Sequence, residues 1–297
     1  MRQYVHGCEI IQYADDTQFV HVGRIDALPD LISAAQTTFS QTRDYFNKNG
    51  LLLNANKTQC LFIGTRAITR QIPENTTLTY ANTTISPCKH IKNLGVYIDS
   101  HLTFDKHIYE THRKVMGNLL FINRIKDKFD SVTRKIAIES LALSNINYCL
   151  PIYGTASTTL LKQIQKLQNF AAKICIGGAT RRDHATPFIT QLKWLKIDKK
   201  IMYDTAINLY KIKTKSYPEW FVHLPTTAEV TQSRYTTRQQ DNLHVPHTSS
   251  HGGARSLLVL GPRLWNTLPH YIKQSGTIHM FRSRLKIFLL NNDVYVN

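Results

Sequence analysis

The sequence lacks a long apolar run, a cysteine pair at metal-binding spacing and an internal repeat. No uninterrupted apolar stretch approaches the roughly 20 residues that cross a bilayer. Residues 1–25 do not show the basic, apolar and small-residue order of a signal peptide. Membrane insertion and secretion are therefore not expected, and no membrane partner is predicted.

Cysteine is scarce and unpaired in this chain. The five cysteines are an odd number, lie far apart and form no CxxC motif. This pattern predicts reduced thiols in an intracellular compartment rather than a disulfide framework. Without cysteine arms, zinc is not expected even where histidines cluster, as they do at two places: His101, His107 and His112, and His244, His247 and His251.

Acidic residues are few in the second part of the chain. The sequence has 37 Lys and Arg against 20 Asp and Glu, a net charge of +17. Residues 1–110 contain ten basic and ten acidic side chains, whereas residues 111–297 contain 27 basic and ten acidic ones. A basic region of this kind favours nucleic acid as a partner, because neutralising phosphates releases condensed counterions.

The first hundred residues show a mixed α+β pattern. Residues 9–22 have β-rich arms around a polar centre, which predicts a hairpin whose turn carries Asp15 and Asp16. Apolar residues at helical spacing predict an amphipathic helix from Leu28 to Phe46, with Asn49-Gly50 as its stop signal. Short β-like runs follow at 51–53, 59–63, 78–80 and 94–98.

After Phe104 the pattern becomes helical and basic. We predict helices around residues 108–122, 131–147 with Ser131 as N-cap, 160–174 before Gly177-Gly178, and 199–213. Residues 214–256 predict a long loop or extended insert. Gly261-Pro262 predicts a break before a last helix around Phe281 to Phe288.

Two neighbouring aspartates in a turn repel each other unless a positive group compensates them. Divalent metal is the usual compensation, and in two-metal phosphoryl transfer carboxylates hold the two ions. Aspartate is also common in turns for ordinary hydrogen-bonding reasons. The pair alone therefore does not decide the function.

Several motifs in order resemble a known family. Tyr13-Ala14-Asp15-Asp16 resembles the YADD signature of reverse transcriptases, and residues 52–58 resemble their next palm motif. Residues 94–108 are similar to the motif that closes the palm in non-long-terminal-repeat retrotransposons, especially jockey-type elements. Later segments are similar to the C-terminal region of that group: 147–154, 192–195 and 262–269.

The resemblance implies an RNA-directed DNA polymerase with Mg²⁺ as cofactor. Asp15 would be a direct Mg²⁺ ligand, and Asp16 would support the site electrostatically. Lys57 would assist departure of pyrophosphate. Residues 94–99, which begin with Leu94 and Gly95, would form the primer grip that positions the 3′ hydroxyl.

The same resemblance implies an α+β fold with a partial palm at 1–104, a helical thumb at 105–180 and a basic C-terminal region at 181–297. The expected partners are an RNA template, a DNA primer or an RNA–DNA duplex, together with deoxynucleotides. The nucleic-acid contacts are predicted at the palm turn and on the basic helices: Leu94, Gly95, Arg113, Lys114, Arg124, Lys126, Arg181, Arg182, Lys199 and Lys200.

The chain also departs from the family pattern. Fourteen residues precede Asp15, which is too few for the earlier palm strand with another metal-binding aspartate or for the fingers. We therefore expect an N-terminally truncated polymerase without activity of its own, with an open palm edge that invites pairing. Two alternatives remain: a nucleic-acid-binding remnant without catalysis, and a decayed reading frame. Other acidic residues are expected to be caps or solvated charges: Asp26, Asp30, Asp44 and Asp99.

Overall fold

A computed structural model of the chain describes residues 7–80, 83–180, 182–217, 224–231, 242–248 and 251–292. Its fold is α+β, with helices and small antiparallel sheets. The chain divides into two units, Met1–Leu102 and Thr103–Asn297. This division lies two residues before the boundary predicted after residue 104, and the boundary predicted after residue 180 falls inside the second unit.

The first unit contains three separate two-stranded sheets and two helices within its described residues. Each sheet is a single antiparallel pair, formed by β1 with β2, β3 with β4, and β5 with β6. The elements in chain order are β1 (Glu9–Tyr13), β2 (Asp16–Val20), α1 (Leu28–Lys48), α2 (Arg66–Thr69), β3 (Leu78–Tyr80), β4 (Thr83–Ile85), β5 (His90–Asn93) and β6 (Val96–Asp99).

The predicted first hairpin is confirmed, but its turn carries Asp15 alone of the two aspartates, because Asp16 already belongs to β2. Strands β1 and β2 pair with Tyr13 opposite Asp16, so the connection is the two-residue turn Ala14-Asp15. Ala14 adopts a left-handed backbone conformation with φ 51°. Two-residue turns of this kind match the twist of the flanking strands and need positive φ.

Helix α1 is also confirmed, including its stop at Asn49-Gly50. Its buried face includes Phe39 and, unusually for a core, two threonines. Gln36 binds the backbone of Thr79 in β3, because its amide nitrogen donates to the Thr79 carbonyl at 2.6 Å and its oxygen accepts from the Thr79 N–H at 2.9 Å. This side chain thus ties α1 to a strand edge.

Two predicted strands of the first unit were wrong. Residues 51–53 are not a strand, and Leu52 is 91% exposed. Residues 59–63 form only an isolated bridge between Cys60 and Pro87. An apolar run forms a strand only where a partner and a packing surface are present along its length; residues 51–53 have no strand partner in the described part of the chain, and the pairing of 59–63 is limited to one bridge.

The second unit consists of helices within its described residues. One core lies between α3 and α7, and a second lies between α9, α12 and α14. The helices are α3 (Asp105–Ile125), α4 (Ser131–Ile138), α5 (Ser144–Asn147), α6 (Leu150–Tyr153), α7 (Thr158–Ile176), α8 (Thr186–Gln191), α9 (Ile197–Lys213), α10 (Thr227–Thr231), α11 (His251–Ala254), α12 (Leu257–Thr267), α13 (His270–Lys273) and α14 (Ile278–Asn291).

Most predicted helices of this unit are confirmed, with two local corrections. The N-cap of α4 is Asp130 rather than Ser131, because the Asp130 carboxylate accepts from the Thr133 N–H at 2.8 Å. An aspartate in this position caps as well as serine and adds a favourable charge at the helix start. A π-helical segment, Glu139–Leu143, interrupts the predicted 131–147 helix between α4 and α5.

The break predicted at Gly261-Pro262 was wrong. Helix α12 continues through both residues, which are buried together with Leu264 and Trp265. A proline inside a helix removes one backbone hydrogen bond, but burial of this apolar helix keeps it intact. Gly261 also allows close approach of α9, since a β-carbon there would lie 2.9 Å from a Leu209 methyl group.

Within the predicted loop at 214–256, the structure describes residues 214–217, 224–231, 242–248 and 251–256. The described parts contain α10, α11 and a bridge between Thr226 and Leu243. In the ranges that the structure describes, no helix combines the length and the apolarity needed to cross a membrane.

Candidate functional site

The two predicted catalytic aspartates lie at the tip of the first hairpin. Asp15 is the second residue of the turn, and Asp16 is the first residue of β2; both are exposed. Residues two apart on a strand share a face, so Asp16 lies on the same face as Gln18. The tip therefore presents two carboxylates that solvent and ions reach.

A reciprocal amide pair joins this hairpin to the β5–β6 hairpin. The Gln18 Nε2 donates to Asn93 Oδ1 at 2.7 Å, and the Asn93 Nδ2 donates to Gln18 Oε1 at 3.1 Å. Both side chains are half-buried. Since Gln18 lies two residues from Asp16, about 7 Å along the strand, the pair brings the aspartate hairpin beside the second hairpin.

Leu94 and Gly95 form the turn of that second hairpin. Asn93 pairs with Val96, so the turn has two residues. Their φ angles are 43° for Leu94 and 88° for Gly95. Positive φ at both positions is the requirement of the hairpin turn that matches strand twist. The Leu94 side chain is 40% exposed, and Asn93, which precedes it, is the partner of Gln18.

Lys57 ends a short 3₁₀ turn, Ala55–Lys57, in the first unit. The Lys57 N–H donates to the Asn54 side chain at 3.2 Å and to the Asn54 carbonyl at 3.1 Å, so Asn54 shapes this turn. The Lys57 side chain is exposed. In the part of the chain that the structure describes, no ion pair or hydrogen bond joins it to Asp15 or Asp16.

The other candidate carboxylates have local structural roles. Asp26 pairs with Arg24 at 3.1 Å, and Asp44 pairs with Arg43 at 2.8 Å. Asp30 lies in the first turn of α1, and Asp99 accepts from the His101 N–H at 3.0 Å. Within the described ranges, no group of three or more His, Cys, Asp or Glu side chains is placed to hold a metal ion.

In the second unit, Arg113 and Arg124 lie on one solvent-exposed face of α3. They are eleven residues apart, which brings them back to the same side of the helix about 16 Å apart along its axis. Leu120 (46% exposed) and Phe121 (58% exposed) lie near this line. We call these four residues the α3 face; it combines positive charge with exposed apolar surface.

Glu110 reduces the positive charge at one end of this helix. It lies 3.1 Å from Lys106 and 2.9 Å from Arg113. The hydrogen bond from Lys106, with the nearby Arg113 charge, holds the pKa of Glu110 below its ordinary value. Lys114 is exposed on a neighbouring face, and Lys126 is half-exposed just after α3.

The remaining predicted nucleic-acid contacts differ in their exposure and in their interactions within the second unit. The Lys200 Nζ contacts both Asp204 oxygens at 2.5 and 2.7 Å. Burial raises the pKa of Asp204, and Lys200 opposes that shift. The Lys200 charge is thus already compensated inside the unit. Lys199 is half-buried and Arg182 is exposed, whereas Arg181 lies outside the described residues.

Two histidines of the first cluster, His107 and His101, each have local contacts of their own. His107 is buried in α3 with its ring edge-on to Tyr153 at 4.7 Å, and burial lowers its pKa. His101 contacts the Gly64 carbonyl through Nδ1 at 3.1 Å. The side chain of His251 lies outside the described residues. The Trp194 indole N–H donates to the Glu139 carboxylate at 2.7 Å and Trp265 is buried, whereas Trp220 lies outside the described residues.

Sequence reasoning missed Gln18 and Asn93. They are 75 residues apart, and neither belongs to a motif with a chemical signature. The only sequence signal for them was position: Gln18 lies two residues after the aspartate pair, and Asn93 directly precedes Leu94.

In comparisons with protein-family models, curated protein sequences and solved structures, none matched this chain.

Proposed function

We propose that the chain carries the nucleotidyl-transfer hairpin and the duplex-binding helices of an RNA-directed DNA polymerase of the non-long-terminal-repeat retrotransposon type. One observation carries the proposal. The Gln18–Asn93 pair sets an exposed tip with Asp15 and Asp16 beside the Leu94-Gly95 turn. These are the two segments that the motif resemblance assigns to metal binding and to primer positioning.

The donor chemistry at the tip suits Mg²⁺. Two carboxylates are hard oxygen ligands, and Mg²⁺ sites commonly use one or two carboxylates together with substrate phosphates and water. Mg²⁺ bound there would neutralise the aspartates and stabilise negative charge on transferring phosphates. In this proposal Asp15 binds the ion, Asp16 adds negative potential, and Leu94-Gly95 orients the end of the primer.

Lys57 has a more distant role in the proposal. It would supply a mobile cation for the leaving pyrophosphate, and its exposed side chain on a short turn leaves it the freedom to reach a substrate. Its backbone N–H is bound to Asn54, so Asn54 fixes the turn while the exposed ammonium extends from it.

Among the described residues, no third His, Cys, Asp or Glu side chain joins Asp15 and Asp16 in a group that could hold a metal ion. Two-metal transfer distributes several oxygen ligands over two ions, and the tip offers Asp15 and Asp16. The proposal therefore expects metal and duplex binding by the purified chain without primer extension.

A second candidate function is duplex binding without catalysis. The α3 face favours it, since Arg113 and Arg124 are spaced along one side with exposed Leu120 and Phe121 beside them. Basic groups bind phosphates, and exposed apolar and aromatic groups contact bases or sugars. This function needs neither aspartate.

Metal binding at the tip is tested with Mn²⁺ as a paramagnetic substitute for Mg²⁺. Electron paramagnetic resonance of free Mn²⁺ measures the bound fraction in the full chain. We expect Asp15→Asn to weaken binding at least tenfold and Asp26→Asn, which removes the same charge elsewhere in the first unit, to change it little. Equal binding by wild type and Asp15→Asn would contradict the metal site.

Duplex binding is tested by the salt dependence of affinity for an RNA–DNA hybrid. The double variant Arg113→Gln/Arg124→Gln should lower the slope of log K against log salt by roughly two, about one for each lost phosphate contact. The matched control Lys48→Gln/Arg66→Gln removes two exposed charges from the first unit. An unchanged slope in the α3 variant would exclude this face.

A further inference from the structure

The second unit contains a cavity of about 540 Å³ between α9, α12 and α13. This volume lies in the range of small-ligand sites. The ends of the helices line it, with Lys213 and Thr214 from α9, Trp265 from α12, and Lys273, Gln274 and Ser275 from α13 and the residues after it.

Two lysines give the cavity a positive charge without a carboxylate in its lining. Burial lowers the pKa of Lys273, and the nearby Lys213 charge lowers it further. No ion pair joins either lysine to a carboxylate in the ranges that the structure describes. Two neighbouring cations repel each other unless an anion lies between them, so this lining favours an anionic ligand.

The Lys273 ammonium retains donors for a ligand. It has three N–H donors, and one of them is used in a hydrogen bond to the Asn266 carbonyl at 3.2 Å. The Lys213 ammonium lies 5.6 Å from the centre of the Trp265 ring. This cation–π contact holds the charge at the rim of the cavity.

Stacked aromatic rings and one hydrogen bond support the walls of the cavity. Tyr210 stacks on Phe281 at 4.4 Å, and Trp265 stacks on the same ring at 5.9 Å. The Tyr210 hydroxyl donates to the Ser275 carbonyl at 2.6 Å. Trp265 is only 3% exposed, so its ring supports the cavity rather than offering a stacking surface for a base.

We propose that this cavity binds a phosphate group. Phosphate carries enough negative charge to compensate two lysines, and lysine binds it as a point charge without the planar geometry that a carboxylate–arginine pair uses. The same chemistry is present in a free phosphate ion and in the backbone of a nucleic acid. The proposal goes beyond the polymerase-type site, does not depend on Asp15 or Asp16, and concerns the second unit alone.

The test uses the full chain and two ligands at constant ionic strength. Isothermal titration calorimetry measures inorganic phosphate, and fluorescence anisotropy measures a labelled single-stranded oligonucleotide. We expect Lys213→Gln and Lys273→Gln each to weaken binding roughly tenfold, as expected for one charge-assisted hydrogen bond. Lys162→Gln on α7 is the control, because it removes an exposed lysine that does not line the cavity.

The outcomes separate the two sources of phosphate. If phosphate displaces the bound oligonucleotide, and if only the cavity variants lose affinity for it, the site is assigned to nucleic acid. If the chain binds phosphate but not the oligonucleotide, and the cavity variants lose affinity for phosphate, the site is assigned to a free phosphate or nucleotide. Lys213→Gln changes an exposed side chain, so it keeps the test valid if Lys273→Gln unfolds. Wild-type affinity in Lys213→Gln, or an equal loss in Lys162→Gln, would overturn the proposal.

Discussion

Removing the Gln18–Asn93 amide pair should uncouple the two hairpins of the first unit. The variants are Gln18→Ala, Asn93→Ala and the double variant. The pair contains two hydrogen bonds between half-buried side chains, at 2.7 and 3.1 Å. Each such bond contributes about 0.5–1.5 kcal/mol net, and deletion of one partner also leaves the other amide unpaired. Each single variant should therefore lose about 1–3 kcal/mol of local stability.

The double variant should lose less than the sum of the two single variants. Once one amide is absent, removing the other costs little, so we expect a coupling energy of about 1–2 kcal/mol. Native-state hydrogen exchange of backbone amides in residues 9–20 and 90–99 measures this locally. All three tryptophans lie at residue 194 or later, so tryptophan fluorescence reports the second unit and should not change.

Additive losses in this cycle would refute the reasoning. Residues without a direct interaction add to within about 0.5 kcal/mol, so a coupling energy below that value would mean that the pair does not hold the hairpins together. A change in the tryptophan signal would show that the variants act on the whole chain. The proposed arrangement of the aspartate tip beside Leu94-Gly95 would then lose its support.

Three further predictions concern the second unit, each measured by tryptophan-detected unfolding. Gly154→Ala should destabilise it by more than about 1 kcal/mol, because the new β-carbon would lie 2.5 Å from the Leu150 carbonyl oxygen. Gly117→Ala inside α3 should stabilise it by about 1 kcal/mol, because the new β-carbon meets no atom within 4 Å. The reverse order of stability would contradict the helix packing. Asp130→Ala should cost about 1 kcal/mol through loss of the α4 cap, and no loss would remove that role. Burial lowers the pKa of His107 below its ordinary 6.5, so its neutral form stabilises the fold above about pH 6.5 and that stability is lost as pH falls. His107→Phe should therefore lose less stability than wild type between about pH 7.5 and about pH 5.5, and an equal loss would assign the acid sensitivity to other groups.

Local signals in the sequence predicted the longest elements well. The aspartate hairpin, α1 and α7 each combine a periodic pattern with a clear turn or stop signal, whereas α3 and α9 were predicted from the spacing of their apolar residues. These features act over a few residues, so they are readable without knowing the fold. The α4 cap was displaced by one residue because Asp130 and Ser131 are both good caps, and the competition between them depends on geometry.

Features that depend on distant parts of the chain were not predictable in the same way. The run at 51–53 has β propensity but no described partner, and Pro262 is tolerated because α12 is buried. The Gln18–Asn93 pair spans 75 residues. Lys200 was predicted as a nucleic-acid contact, yet Asp204 one turn later binds it. The cavity lined by Lys213 and Lys273 could not be predicted either, because it forms only where α9, α12 and α13 pack together.

The position of a primer end on the chain tests the polymerase-type site most directly. A DNA primer with a photoreactive group on its 3′-terminal nucleotide, annealed to an RNA template, is bound to the full chain and irradiated. Mass spectrometry then identifies the attached peptides. The account predicts attachment within residues 13–18 or 93–96. Attachment confined to residues 103–297, with the duplex bound, would contradict it and leave duplex binding without catalysis.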